Sequence, residues 1–339
     1  MRRDIPPLAE VRRITQKKRD AWWTVLLVDP VATPLVRLTA MRTKVTPNQI
    51  TWGAFLLGLA SAACFALGDW RWLIAGAVVY HLSFILDCMD GKVARLTGQG
   101  SVFGAWLDFV FDRIRVMVCA IALMAGQFQR TGDTTYIWLA AVVVFLDGLR
   151  YINSLEIFKT RHTMRKQIKA RIREARRAED DAGVAFMEDL LRNNPEADIE
   201  QDLRKAAALG QELEQEPGQG QGQGLPEAEA EDEAGPQAQP SAKVIDLHQE
   251  FRHRFPTYLR LRSFLLRHRI RAHLISGIEF QMGVFIVGPL IDQVIAVTLV
   301  SGALLLVFEL AIVYKLLLST RDFTRTIDSF ERDEVAAAA

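Results

Sequence analysis

Long apolar runs alternate with charged segments along this chain of 339 residues. Six of the runs predict membrane-spanning helices, since a bilayer is crossed by a predominantly apolar helix of about 20 residues. They lie at about 50–68, 73–86, 103–125, 136–152, 273–291 and 294–317. The pattern therefore predicts an all-α integral membrane protein with six transmembrane helices.

The segment before the first span has a different pattern. Residues 1–20 contain seven Lys and Arg residues, which favours a mobile start held near anionic lipid headgroups. Residues 29–42 have apolar side chains on one helical side and arginines on the other, which predicts an amphipathic helix in the membrane interface. An ordinary polar linker is the alternative for this stretch. Thr46 and Gln49 can form a capping box around Pro47, so the first span is expected to begin there.

Composition divides the chain into five segments. Residues 159–177 are basic with a helical pattern, whereas the Gln-Gly repeats and acidic run over 215–241 cannot bury enough apolar surface to fold. The basic run 252–273 favours positive-inside membrane anchoring, with a dedicated lipid or nucleic-acid site as the alternative. We expect a basic N-terminus with the interfacial helix (1–45), transmembrane helices one to four with the motif (46–157), a partly helical and partly disordered cytoplasmic insert (158–272), transmembrane helices five and six (273–318), and a cytoplasmic tail (319–339).

Charge gives the orientation. The formal net charge is only +1, but the basic segments all fall on one side of a six-span topology. The positive-inside rule then places both termini on the cytoplasmic face of the plasma or inner membrane. The first twenty residues lack the apolar core of a cleavable signal peptide, and the three cysteines have no metal-type or disulfide-type spacing.

Four aspartates stand at the polar ends of the second and third spans. Helical spacing puts two sets of residues each on one helix face: Asp87, Asp90, Gly91 and Ala94, and then Gly104, Asp108 and Asp112. Where two such faces pack together, the four carboxylates converge, and like charges so close require cations between them. Hard oxygen ligands favour Mg²⁺ or Mn²⁺, and four carboxylates suffice for two ions.

The residues between the aspartates fit the same chemistry. Gly91, Ala94 and Gly104 lack bulk where a partner helix or ligand must approach closely. Arg95 adds a forked cation suited to phosphate oxygens. Two metal ions, an arginine and room for a phosphate suggest phosphoryl transfer by in-line displacement.

The complete pattern is D-x-x-D-G-x-x-A-R-x8-G-x3-D-x3-D, from Asp87 to Asp112. It resembles the signature of the CDP-alcohol phosphatidyltransferases, over roughly 43–157 and 273–317 and excluding the insert. The resemblance implies a CDP-diacylglycerol type of substrate, transfer of a phosphatidyl group to an alcohol, and release of CMP. It also implies a homodimer, for which the Gly53/Gly58 and Gly277/Gly283 faces would permit close helix packing.

The resemblance also implies residue roles. Asp87, Asp90, Asp108 and Asp112 would bind the two metal ions, and Asp112 would be the general base toward the acceptor hydroxyl. The cytidine diphosphate site would comprise Gly91, Ala94, Arg95 and Gly104, with Asn48 as an additional ligand. The alternative for Asn48 is a place in a capped helix and nothing more. The alternative for the aspartates is a set of ion pairs with Arg95, Arg113 and Arg115.

The acceptor is left open by the sequence. Arg113 resembles the inositol-phosphate type of pattern, and Arg150 is a second candidate for an acceptor phosphate, so inositol phosphate or glycerol phosphate is expected. Both arginines have an equally good alternative as ion-pair partners of Asp147 or Glu279 inside the bundle. Two other functions compete with the enzyme: a divalent-cation transporter, and a membrane anchor that recruits partners through its insert.

Overall fold

A computed structural model describes residues 5–176, 184–186, 243–245, 247, 249–255, 262 and 264–338. The chain divides into two compact units, one formed by residues 1–153 and 268–309 and the other by residues 154–267 and 310–339. The first unit contains every residue of the predicted motif. The predicted insert lies mostly outside the described residues.

Helices make up almost all of the described structure. The first part of the chain has α1 (Leu8–Thr15), a π-helical turn (Thr24–Val28), α2 (Asp29–Arg42), α3 (Pro47–Ala66), α4 (Trp70–Thr97), α5 (Val102–Thr131) and α6 (Thr135–Arg176). Later come α7 (Gln249–Arg254), α8 (Gly277–Met282), a second π-helical turn (Gly283–Val287), α9 (Gly288–Leu290) and α10 (Val294–Ala338). Within the described residues the exception is a pair of three-residue parallel strands, β1 (Val184–Phe186) and β2 (Lys243–Ile245).

The basic start is ordered over α1, which differs from the mobile segment that we expected. Val11 and Thr15 are completely buried, and the Thr15 hydroxyl donates to the Val11 carbonyl at 2.7 Å. These two residues are four apart and therefore share the helix face that packs inward. The charged residues of α1 occupy the remaining faces.

The predicted α2 helix is present, and its apolar stripe points outward. Its small side chains Ala32 and Val36 are buried, whereas Val31 and Leu38 are more than 40% exposed. An outward apolar stripe matches contact with lipid. Together with the preceding π-helical turn, this segment forms a 19-residue stretch that is apolar enough to cross a membrane. Its interfacial position stays a prediction.

The predicted capping box begins α3. The Gln49 amide donates to the Thr46 hydroxyl at 3.4 Å, and the Thr46 amide donates to the Gln49 side chain at 3.0 Å. Pro47 occupies the first helical position, where its missing N–H costs nothing. This start fixes the register of α3 and hence the direction of Asn48 and Thr51.

Helices α3, α4 and α5 form the centre of the first unit. Tyr80 of α4 and Phe65 of α3 are completely buried, and both rings lie against Phe285, at 4.8 and 6.4 Å between centroids. Helix α4 ends at Gly98, whose φ of 65° is the left-handed conformation that glycine adopts at little cost. Helix α5 begins at Val102, four residues after Gly98, and is capped by Ser101. The short connection keeps the ends of α4 and α5 close together.

Five helical segments among the described residues are long and apolar enough to cross a membrane, so the chain is an integral membrane protein. They are Thr24–Arg42, Pro47–Ala66, Trp70–Thr97, Thr135–Arg171 and Val294–Ser329. Large apolar side chains cover outward faces, for example Trp138 and Leu310 at 74% and 67% exposure. Such faces suit lipid rather than water.

Two of the six predicted spans are not among these five long apolar segments. The fifth begins at Gly277 rather than at His273 and runs only to Leu290, which is shorter than the ~20 residues that cross a bilayer. The third lies within α5, a helix of 30 residues whose first half carries four charged side chains. The six-span topology therefore remains a proposal.

Candidate functional site

The motif residues lie on the adjoining ends of α4 and α5. Asp87, Asp90, Gly91, Ala94 and Arg95 all belong to one unbroken helix, α4, and Gly104, Asp108 and Asp112 belong to α5. The predicted shared faces therefore exist. Asp87 of α4 and Asp112 of α5 both pair with Arg115. We call Asp87, Asp90, Asp108 and Asp112 the carboxylate cluster.

Arg115 is the buried counter-charge of the cluster. Its side chain is only 2% exposed, and its guanidinium donates to Asp87 Oδ1 at 3.2 Å and to Asp112 Oδ1. The Tyr80 ring faces the same guanidinium at 5.9 Å. A Cβ added to Gly58 would lie 2.6 Å from Arg115 Cδ, so a glycine is needed there. The predicted alternative of aspartate–arginine ion pairs is therefore present for Arg115.

Asp90 is the most buried member of the cluster, at 6% exposure. Its Oδ2 accepts a hydrogen bond from the Thr51 hydroxyl at 2.5 Å, and its Oδ1 accepts one from the Gly91 amide. Both donors stabilise an ionised carboxylate. Thr51 was not recognised from the sequence, although it lies on α3 one helical turn after Pro47 and shares the face that packs on α4.

Asn48 lies beside Gly104. A Cβ on Gly104 would come within 2.7 Å of Asn48 Oδ1 and within 3.0 Å of Ser101 Oγ. The start of α3 and the start of α5 therefore meet at a point where only glycine fits. Gly91 differs, because the nearest atom to an added Cβ there is Arg95 Nη1 at 3.8 Å. Packing within the protein does not demand a glycine at position 91, which leaves room for a ligand.

Arg95 contacts the N-terminal segment. Its Nη2 donates to the Thr15 carbonyl at 2.9 Å. This partner is a backbone group, whereas the alternative predicted an ion pair with the aspartates. Ala94 is half-buried on the same face. The three predicted CDP-binding residues of α4, Gly91, Ala94 and Arg95, are thus all half-buried.

The apolar residues between Asp108 and Asp112 pack against neighbouring helices. Phe111 stacks on Phe55 of α3 at 4.3 Å between ring centroids, and Phe109 stacks on Tyr151 of α6 at 4.6 Å. These contacts fix the rotation of α5 about its axis. With this rotation, Asp112 lies beside Arg115, which also pairs with Asp87 of α4.

The two candidate acceptor-binding arginines have carboxylate partners. Arg113 is paired with Asp147 and also lies 3.8 Å from Asp112. Arg150 Nε lies 3.9 Å from Glu309 Oε1. The ion-pair alternative thus describes both, with Glu309 rather than Glu279 beside Arg150. We call Arg113, Asp147, Arg150 and Glu309 the arginine region.

Further polar side chains complete the arginine region. Gln281 donates to Asp147 Oδ1 at 2.8 Å, and Asn153 donates to Glu309 Oε2 at 2.5 Å. Glu279 has a separate role, because its Oε2 accepts from the amide and hydroxyl of Ser276 and so caps α8. It also lines an apolar cavity of about 430 Å³ with Trp22 and Trp23.

The chemistry of the cluster suits divalent cations, since its donors are all hard carboxylate oxygens. In the part of the chain that the structure describes, no three acidic, histidine or cysteine residues are grouped as a ready metal-ligand set. Arg115 instead bridges Asp87 and Asp112. The predicted metal, nucleotide and acceptor roles therefore remain proposals.

Comparison with known proteins agrees with the site. Residues 44–174 match the family model described as CDP-alcohol phosphatidyltransferase. This stretch, about two fifths of the chain, therefore resembles a CDP-alcohol phosphatidyltransferase domain. The match contains every motif residue from Asp87 to Asp112, as well as Asn48, Arg113 and Arg150.

Several relatives share part of this CDP-alcohol phosphatidyltransferase region. A phosphatidylinositol phosphate synthase of Corynebacterium glutamicum is 40% identical over 89 residues, which are 26% of this chain and 37% of the relative. One of Cutibacterium acnes is 35% identical over 145 residues, 40% of this chain and 62% of the relative. An archaetidylinositol phosphate synthase of Methanothermobacter thermautotrophicus is 33% identical over 99 residues, 29% of this chain and 49% of the relative. The matches thus span less than two thirds of each relative.

Proposed function

We propose that the protein is a membrane enzyme that transfers a phosphatidyl group from a CDP-linked lipid to an alcohol and releases CMP. The observation that carries this proposal is the position of the four motif aspartates at the adjoining ends of α4 and α5, where Arg115 bridges Asp87 and Asp112. A cluster of this charge suits a site that handles a diphosphate together with cations. The family match over residues 44–174 supports the same chemistry.

The acceptor that we propose is inositol phosphate, with glycerol phosphate as the second choice. Relatives named phosphatidylinositol phosphate synthase and archaetidylinositol phosphate synthase support the first. Arg113 and Arg150 would bind the acceptor phosphate, because a guanidinium forms paired hydrogen bonds with phosphate oxygens. Arg113 lies 3.8 Å from Asp112, which would bring an acceptor held by Arg113 next to the proposed base.

In the proposed reaction, the acceptor hydroxyl oxygen attacks the phosphorus that carries the lipid. A new P–O bond forms to the acceptor, the P–O bond to CMP breaks, and CMP leaves with the electron pair. Asp112 accepts the hydroxyl proton as general base. Its Oδ1 already accepts from Arg115, which holds the carboxylate in one orientation.

Asp87, Asp90, Asp108 and Asp112 would hold two Mg²⁺ or Mn²⁺ ions. When bound, such ions neutralise the diphosphate and the departing CMP. The protein's own contribution is to fix the carboxylates in place: Thr51 and the Gly91 amide orient Asp90, and Arg115 orients Asp87 and Asp112.

The nucleotide would lie along α4 and the start of α5. Gly91 and Ala94 leave space on the α4 face, Arg95 offers a guanidinium to the phosphates, and Gly104 lies beside Asn48. Asn48 has both a donor and an acceptor on its side chain and so can pair with a cytosine edge. In this proposal the nucleotide would lie next to the carboxylates, which would face its diphosphate.

The proposed topology has six spans, with Gly277–Leu290 as the short fifth span. Positive-inside asymmetry would place both termini and the carboxylate cluster on the cytoplasmic face of the plasma or inner membrane.

A homodimer is part of the proposal. The surfaces at Gly58, Gly277 and Gly283 already pack against Arg115, Arg150 and Ser301 of the same chain. A dimer would therefore use another surface.

The test is CMP release by the purified protein in detergent. CDP-diacylglycerol, Mg²⁺ or Mn²⁺ and a panel of acceptors are supplied, with Asp112→Asn as the blank. Metal-dependent CMP release with inositol phosphate is expected. CMP release with another acceptor instead would replace inositol phosphate as the proposed acceptor. Uptake of metal ions into vesicles without CMP release would favour the divalent-cation transporter.

A further inference from the structure

The N-terminal strap, which we define as residues 15–20, is fastened to the chain segment that precedes α8. The Asp20 amide donates to the Arg269 carbonyl, and the Arg271 amide donates to the Asp20 carbonyl, both at 2.9 Å. Asp20 and Ile270 form an isolated parallel bridge. Two stretches about 250 positions apart in the sequence therefore pair as short strands.

Arg269 is the main fastening of this strap. Its guanidinium donates to the Lys17 carbonyl through Nε at 3.2 Å and Nη2 at 2.9 Å, and to Gln16 Oε1 at 2.9 Å. Its Nη2 also lies 3.2 Å from Asp29 Oδ2. The backbone of Arg269 has φ of 61°, a left-handed conformation that is unfavourable for a residue with a side chain. Such conformations persist where surrounding contacts demand them, and they are concentrated at functional sites.

Two chains of contacts lead from Arg269 to the end of α4. The first passes through Asp29, whose other oxygen pairs with Lys92, the residue after Gly91; both side chains are at most 6% exposed. The second passes through the strap itself, since Arg95 donates to the Thr15 carbonyl at 2.9 Å. Gly91 and Arg95 are proposed CDP-binding residues, so both contact chains end at the nucleotide site.

We infer that Arg269 is a positioning residue of the substrate site, which sets the end of α4 through Asp29–Lys92 and through the strap. The kinetic effects that this inference predicts rest on the proposed function. The contacts of Arg269 described above are with the strap and with Asp29, not with the carboxylate cluster. It acts by keeping Gly91 and Arg95 in the positions in which they bind the nucleotide.

The experiment compares Arg269→Ala and Arg269→Lys in the full-length protein, with Arg130→Ala as the matched control. Arg130 is also an ion-paired arginine of the first unit, bound to Asp292, but it lies about 27 Å along α5 from Asp112 at 1.5 Å per residue. CMP release gives KM for CDP-diacylglycerol and kcat. Amide hydrogen exchange is measured over residues 15–20 and 90–97 without substrate.

For Arg269→Ala we expect faster exchange in both segments, a KM for the CDP-lipid raised about tenfold and a kcat changed less than about threefold. Arg269→Lys should recover part of the KM, because it keeps the charge, and Arg130→Ala should change neither. Faster exchange over 15–20 alone would overturn the inference. An equal rise of KM for the CDP-lipid in Arg269→Ala, Arg269→Lys and Arg130→Ala would also overturn it. If the wild type releases no CMP, the proposed function fails, and exchange over 90–97 still decides whether Arg269 positions α4.

Discussion

The carboxylate cluster and the arginine region both bury charge inside an apolar bundle, but they balance it differently. In the cluster, the buried guanidinium of Arg115 pairs with two of the four carboxylates, those of Asp87 and Asp112. In the arginine region, each guanidinium has its own carboxylate, Arg113 with Asp147 and Arg150 with Glu309. The first region carries an excess of negative charge, whereas the second is balanced.

This difference suggests different uses. Buried like charges are tolerated only where cations can join them, so the cluster suits metal ions and a diphosphate. A balanced region binds an anion only when its arginines exchange their carboxylate partners for the ligand. On this account the acceptor competes with Asp147 and Glu309, and the CDP-lipid does not.

The largest expected effect is that of Asp112→Asn in the cluster. The amide cannot accept the acceptor proton, so kcat should fall by about 10²- to 10⁴-fold, while binding of the CDP-lipid is largely kept. Turnover and lipid binding are measured on the same preparation. Asp133→Asn, in an exposed loop, is the matched control. Turnover close to the wild-type rate in Asp112→Asn would remove Asp112 from the role of base.

The next largest effect tests the arginine region. Arg113→Ala should raise KM for inositol phosphate about 10- to 100-fold, because a charge-assisted hydrogen bond to phosphate is lost. KM for the CDP-lipid should change much less. Arg113→Lys should be intermediate, since it keeps the charge and loses the fork. Equal changes in both KM values would show that Arg113 serves packing of the bundle instead.

The sequence predicted the cluster better than the arginine region for a physical reason. Helical spacing alone places Asp87 with Asp90 and Asp108 with Asp112, because these pairs are local in the chain. The bond from Gln281 to Asp147 joins residues far apart in sequence, and no local pattern reveals such a contact. Arg115 and Thr51 lie on predicted helices, yet their partners depend on how α3, α4 and α5 rotate against one another.

The fold shows the same limit. The capping box at Thr46 and the helices through the motif follow from local chemistry and were predicted. The shortened fifth span was not, because its start is determined by the Ser276–Glu279 cap rather than by where apolar residues begin. The ordered α1 was missed because its burial depends on a distant surface of the bundle.

A smaller effect is expected from Gly104→Ala in the nucleotide half of the site. The added Cβ would lie 2.7 Å from Asn48 Oδ1, so Asn48 must move, and KM for the CDP-lipid should rise about tenfold. KM for the acceptor should stay unchanged. Gly148→Ala, where an added Cβ meets nothing within 4 Å, is the control. An unchanged KM for the CDP-lipid in Gly104→Ala would exclude Asn48 from the nucleotide site.

The smallest effect is expected from Gln281→Leu, which removes one hydrogen bond to Asp147. Asp147 then holds Arg113 more strongly, and KM for inositol phosphate should rise about threefold to fivefold. Gln281→Glu should also raise this KM, because its added negative charge opposes binding of an anionic acceptor. A Gln281→Leu enzyme with wild-type kinetics would show that Asp147 does not compete with the acceptor.

The most direct test of the central claim is a measurement of CMP release by the wild-type protein with CDP-diacylglycerol, inositol phosphate and Mg²⁺ or Mn²⁺. The account predicts CMP release that requires both the acceptor and the metal ion, and that is absent in Asp112→Asn. CMP release that persists undiminished in the presence of a chelator, or in Asp112→Asn, would contradict the role assigned to the carboxylate cluster.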